Sequence, residues 1–182
     1  MRIAVFCGAH AGNGTRYLDA AREVGATLAG RGVGVVFGGG RVGMMGALAD
    51  AALAAGGEVT GVIPAALVER EVAHAALTRL HVVESMHDRK ALMGSLADGF
   101  LALPGGFGTL DEFFEVLSWA QLGMHGKPCV LLDVDGFFGP LLHAVNHAER
   151  EGFIRAQDRA LLVVADSVDV ALRALGAPFV KT

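Results

Sequence analysis

Residues 104–109 read Pro-Gly-Gly-Phe-Gly-Thr, and Leu110, Asp111 and Glu112 follow at once. Gly105, Gly106 and Gly108 let backbone N–H groups come close to an anion with no Cβ in the way. Thr109 can add a hydroxyl donor and can cap a helix that starts there. The N-terminal end of such a helix favours negative charge by ~0.3–1 kcal/mol when exposed. A carboxylate beside a bound phosphate is a liability unless it takes part in chemistry. A tight strand-to-helix turn that holds nothing would use the same glycines. The stretch is neither GxxxxGK[ST] nor GxGxxG, so it predicts neither a P-loop nor a standard dinucleotide site.

Asp111 and Glu112 are expected in the first turn of the following helix. Adjacent helical residues point about 100° apart, so at most one of them faces a ligand. Glu115 follows Glu112 by three residues and can share its side of the helix; periodicity does not choose among the three. Upstream, the segment MHDRK at 86–90 opens a helix and offers Arg89 as a bidentate fork and Lys90 as a point charge. A solvated basic pair is the ordinary alternative. The segment GGGRVGMMG at 38–46 implies close backbone approach, to a ligand or between a helix and a strand, with Met44 and Met45 as core filler. His143 and His147 are four apart but lack the acid of HExxH, so no metal site is expected, and no GxSxG nucleophile occurs.

These segments need a frame. Short runs rich in Val and Ile, such as RIAVFC, VGVVFGG, EVTGVIP, GFLALPGG, KPCVLLD and LLVVAD, alternate with longer amphipathic segments. The helical ones include YLDAAREVGATLAGRG, MMGALADAALAAGG, MHDRKALMGSLA, TLDEFFEVLSWAQLG, GPLLHAVNHAEREG and SVDVALRALG, and LHVVES adds a short strand. Strict alternation predicts an α/β protein: a Rossmann-like, doubly wound parallel sheet with helices on both faces, as one domain over residues 1–182. In such sheets ligands lie beyond the carboxyl ends of the strands. Three glycine-rich turns, FCGAHAGNGT, GGGRVGMMG and PGGFGT, fall at those ends.

Composition agrees. The chain of 182 residues is 53% hydrophobic and 19% charged, which excludes a disordered chain and suggests apolar surface for a partner subunit. A net charge of −4 argues against a nucleic-acid binder. No apolar run reaches the ~18 residues of a membrane span. The opening MRIAVFCGAHAG reads as a first strand and not a signal peptide. A cytoplasmic location is expected, with Cys7 and Cys129 as buried free thiols.

Taken together and in order, GGGRVGMMG, MHDRK and PGGFGTLDE resemble the Lonely guy (LOG) family of cytokinin-activating phosphoribohydrolases, and the likeness spans essentially the whole chain. The resemblance implies hydrolysis of the N-glycosidic bond of an N6-modified adenosine 5′-monophosphate, giving free base and ribose 5-phosphate, with no cofactor. It implies catalytic roles for Arg89 and Glu112. Substrate contacts would come from Lys90, from Glu71 in VEREVAH, from Gly39 of the GGG turn, and from Gly105, Gly106, Phe107, Gly108, Thr109, Leu110 and Asp111. It also implies a homodimer or larger homo-oligomer. Family members have been labelled lysine decarboxylases, but nothing in the sequence suggests a pyridoxal phosphate site. Ala9 and His10 stand where the family commonly has serine after Cys-Gly, Asp111 where it often has Glu, and Phe107 where it often has Tyr. These departures bear on substrate preference. Two other readings share the motifs: an AMP nucleosidase with little N6 preference, and a non-catalytic nucleotide-binding protein.

Overall fold

β1 (Arg2–Phe6) runs through the middle of the molecule, and its alternating side chains feed two cores. Ile3 and Val5 point into one; Ala4 and Phe6 point into the other, and all four are at most 3% exposed. A strand covered on both faces has to be apolar along its buried length, which is why the four residues after Arg2 show no polar alternation. The computed structural model describes residues 1–68 and 73–176.

The other elements follow in the order α1 (Arg16–Gly30), β2 (Gly34–Phe37), α2 (Gly43–Ala54), β3 (Val59–Pro64), β4 (Arg79–Val83), α3 (Met86–Leu96) and β5 (Gly99–Ala102). Then come α4 (Phe107–Gln121), β6 (Cys129–Leu132), α5 (Gly139–Arg150), α6 (Ala156–Arg159), β7 (Leu162–Ala165) and α7 (Val168–Ala174). The seven strands form one parallel sheet in the order β4-β3-β2-β1-β5-β6-β7. Leu28 of α1, Leu48 of α2 and Leu172 of α7 close one face; Met93 of α3 and Phe113 of α4 close the other. Each large apolar side chain buried this way contributes roughly 1.5–3 kcal/mol. The expected doubly wound α/β sheet is therefore present.

Two details were not read from the sequence, and a third departs from it. β4 is an edge strand, with Val82 57% exposed, so its apolar residues are not covered on both sides. α6 and a 3-10 turn at Ala65–Leu67 are too short to leave a periodic pattern. α4 begins at Phe107 with Gly106 as its N-cap, earlier than the threonine. Thr109 thus lies inside the first turn and caps nothing, and Asp111 and Glu112 fall in the second turn. Gly106 is extended, so the helix can start as soon as the glycine pair ends.

The strand order fixes where a ligand can go. The chain builds outward from β1 through β2, β3 and β4, then returns to place β5 on the other side of β1. Connections leave β1 and β5 in opposite directions, and a crevice opens between their carboxyl ends. The start of α3 is set beside it by a reciprocal cap. Ser85 Oγ accepts from the Asp88 N–H at 3.1 Å, and Asp88 Oδ2 accepts from the Ser85 N–H at 3.1 Å. Asp88 therefore serves the helix start. Cys7 and Cys129 are free and buried, as expected, and burial pushes the Cys129 thiol up to about 12. No helix among the described residues is long and apolar enough to cross a membrane.

Candidate active site

A cleft of about 520 Å3 lies at the β1/β5 crevice. Its floor is Cys7 and Gly8 at the end of β1; one wall is Pro104 through Thr109 and Glu112, and another is Met86 and Arg89 of α3. The Gly8 N–H donates to the Pro104 carbonyl at 3.1 Å, so the first and third glycine-rich turns are tied together. Gly105 cannot carry a side chain: a Cβ there would sit 2.1 Å from Thr109 Oγ1. Thr109 is 4% exposed and braces the turn from below. The first amides of α4 have no earlier helical carbonyl to bond and are available for an anion.

Arg89 and Glu112 face each other in this cleft. Arg89 Nε is 3.9 Å from Glu112 Oε1, and the side chains are 7% and 11% exposed. Arg89 Nη2 donates to the Gly38 carbonyl at 3.0 Å, at the end of β2. A Cβ on Gly38 would sit 2.0 Å from that nitrogen, so the close approach foreseen for GGGRVGMMG is an approach of backbone to Arg89. Cys7 lies on the floor. Burial, and then the charge of Glu112, push its thiol far above the ordinary range, so it is neutral near pH 7.

The opposite end of the cleft is apolar. Tyr17 at the start of α1 meets Phe137 of the β6–α5 loop edge-on, with centroids 5.8 Å apart, whereas Met86 Sδ lies 3.7 Å from Arg89 Nη1. Arg16 and Asp135, 3.4 Å apart, tie the same two segments. Phe107 projects from the rim, 94% exposed. Tyr17 and Phe137 were not singled out from the sequence, and Cys7 was read only as a buried thiol. Tyr17 had a signal, since it follows the first glycine-rich turn; Phe137 had only the Asp-Gly turn of VDGFF.

The structure does not bring every expected contact to the cleft wall. Lys90 turns aside, with Nζ 3.1 Å from both Asp111 Oδ2 and Glu115 Oε1. Burial opposes its charge, but the bonds to Asp111 and Glu115 outweigh burial and hold its pKa above the usual lysine value. Asp111 points away from the cleft toward Lys90, 58% exposed. Leu110 packs against the core, and Gly39, at φ 80°, uses its carbonyl to accept from the His74 N–H at 2.9 Å. Glu71 lies outside the described residues. Among those described, no group of three or more His, Cys, Asp or Glu could hold a metal ion.

A doubly wound sheet with a glycine-walled cleft at its switch point, one end charged and the other apolar, defines an α/β protein of the Rossmann type with a small-molecule site. The chain belongs to the LOG family. The family model described as "Possible lysine decarboxylase" matches residues 45–175. A cytokinin riboside 5′-monophosphate phosphoribohydrolase of Rhodococcoides fascians is 50% identical over 97% of this chain and 89% of its own. One from Arabidopsis thaliana is 45% identical over 96% of this chain and 82% of its own. These relatives are, by name, N-glycosyl hydrolases. Among solved structures, the molybdenum cofactor binding protein of Rippkaea orientalis has the same fold, with a TM-score of 0.73 and 23% identity over 96% of this chain and 94% of its own. The Moco carrier protein of Chlamydomonas reinhardtii is similar, at 0.72 and 25% over the same shares.

Gly38→Ala should force the Arg89 guanidinium off its carbonyl. Denaturant unfolding should register an overpacking loss of about 1–3 kcal/mol; an unchanged midpoint would contradict this packing.

Proposed function

We propose that the chain hydrolyses the N-glycosidic bond of an N6-modified adenosine 5′-monophosphate, releasing the base and ribose 5-phosphate. The observation that carries this reading is Glu112, a carboxylate 11% exposed, on the cleft wall beside an anion-binding turn and 3.9 Å from Arg89. The names of the relatives, at 45–50% identity over nearly the whole chain, support the same reaction.

The chemistry follows from that arrangement. Breaking a ribosyl C–N bond develops positive charge on the sugar. A carboxylate next to that carbon stabilises the charge or takes a proton from the attacking water. In our reading Glu112 is that group, and Arg89 contacts the substrate and orients the carboxylate. The 5′-phosphate sits on the amides of Gly105 through Thr109, so binding energy remote from the reacting bond aligns it. The base lies toward Tyr17 and Phe137, where an apolar N6 substituent finds apolar surface. Water adds its oxygen to C1′, and the base leaves with the bonding electrons and takes up a proton.

The decarboxylase description of the family fits less well. Pyridoxal phosphate chemistry needs a lysine in the site, and none lines the cleft among the described residues. A carrier role, as in the Moco proteins' names, would need the turn but not a buried carboxylate against Arg89. How strongly the N6 group is preferred over plain AMP depends on the apolar surface around Tyr17 and Phe137. Glu71 remains a proposed substrate contact, as do Gly39 and Leu110, whereas Lys90 and Asp111 pair with each other at 3.1 Å away from the cleft lining. We also propose a cytoplasmic protein of one domain that pairs as a homodimer or larger assembly. Phe107, Leu122 and Met124 on and after α4, 94%, 74% and 68% exposed, are apolar surface of the kind that association covers.

Glu112→Gln keeps the shape and removes the charge, so kcat should fall by about 10²–10⁴ with the fold intact by circular dichroism. Wild-type turnover in that variant would remove Glu112 from the mechanism. Sedimentation at micromolar concentration should give at least twice the mass of one chain, and a monomer would refute the assembly.

A further inference from the structure

Arg89 and Lys90 are neighbours on α3, yet they serve different faces of α4. Arg89 meets Glu112 in the cleft. Lys90 meets Asp111 and Glu115, at 3.1 Å each, outside it. Asp111 and Glu115 are four residues apart and so share one face of α4, whereas Glu112 is turned about 100° from Asp111. The same angle separates Arg89 from Lys90. The two helices are thus joined by two contacts side by side, one in the cleft and one behind it.

We propose that Lys90 is a positioning residue. By gripping Asp111 and Glu115 it fixes the roll of α4 about its axis, which aims Glu112 at Arg89 and the cleft. It does not bind the nucleotide. This inference rests on the proposed reaction for its kinetic consequence, but its geometric content stands apart. The Lys90 side chain is only 12% exposed, so its ammonium has little water to fall back on. Among the described residues Glu115 Oε2 is buried with no hydrogen-bond partner, and Lys90 is the cation that holds this carboxylate in place. For Lys90 to reach a phosphate it would have to leave both carboxylates facing α3 without their cation. Losing the grip has the opposite consequence from losing a substrate contact: the nucleotide still binds at the glycine turn, while the reacting carboxylate is misaimed.

The test is a cycle of Lys90→Met, the double variant Asp111→Asn with Glu115→Gln, and the triple variant. Base release from isopentenyladenosine monophosphate gives kcat and KM, and calorimetry gives AMP affinity. Lys90→Met should lower kcat about tenfold or more, as misplacement of a reacting group does, and leave KM and the AMP affinity within about twofold. The double variant should lose a similar factor, and the triple should lose little more, because one interaction is removed only once. Lys90→Arg, which keeps the charge between the two carboxylates, should restore most of the rate. A Lys90→Met variant with kcat retained and KM or the AMP dissociation constant raised about tenfold would overturn the proposal and make Lys90 a substrate contact. Fully multiplied losses in the triple variant would overturn it too. A wild-type protein that binds AMP but releases no base would refute the proposed reaction instead, and the AMP affinities of the variants would then decide Lys90 alone.

Discussion

The guanidinium of Arg89 occupies the space where any residue but glycine at position 38 would place its Cβ. That one steric constraint organises the charged half of the cleft. With Nη2 bonded to the Gly38 carbonyl, the Arg89 side chain is fixed at the end of β2, and its Nε faces Glu112. Burying two opposite charges is costly unless each is held in good geometry, and the attraction at 3.9 Å does not by itself repay desolvation. The surrounding fold carries that cost. The Ser85–Asp88 cap sets the first turn of α3, from which Arg89 projects, and the Gly105–Thr109 contact sets the entry to α4, from which Glu112 projects.

The sheet order turns this local device into a site. Because β5 returns to the far side of β1, the starts of α3 and α4 converge over the strand ends at the crevice. The PGG turn and the Arg89–Glu112 pair form one part of the cleft lining, and the Tyr17–Phe137 edge contact forms another. A nucleotide monophosphate has the same polarity: an anion, a sugar and a flat ring in line. In the proposed reading the phosphate takes the glycine turn, the scissile bond faces Glu112 and the base lies toward Tyr17 and Phe137.

Much of this was legible in the sequence, for physical reasons. A parallel sheet covered on both faces demands continuous apolar strands, and GVVF, GFLA and CVLL announce themselves that way. The three glycine-rich turns marked the strand ends, and two of them meet through Gly8 and Pro104. What could not be read was direction. Residues 89 and 90, and 111 and 112, look alike as charged neighbours, and only packing shows that one of each pair enters the cleft while the other stays behind it. Nor does a sequence distinguish a threonine that caps a helix from one that sits within the first turn; Gly106 took that place. The apolar end was missed because Tyr17 and Phe137 are 120 residues apart and meet only once the sheet sets β6 one strand away from β1. Nothing in LHVVES marked β4 as the edge strand, because an edge strand can be as apolar as a central one.

Product analysis of the purified wild-type protein, with no added metal, tests the central claim most directly. Isopentenyladenosine monophosphate, AMP and adenosine would be incubated in parallel and assayed for free base and ribose 5-phosphate. A phosphate-anchored cleft with a reacting carboxylate predicts both products from the isopentenyl monophosphate and no base from adenosine, and the yield from AMP measures how much the N6 group matters. Absence of base from all three, with AMP still bound, would contradict the account.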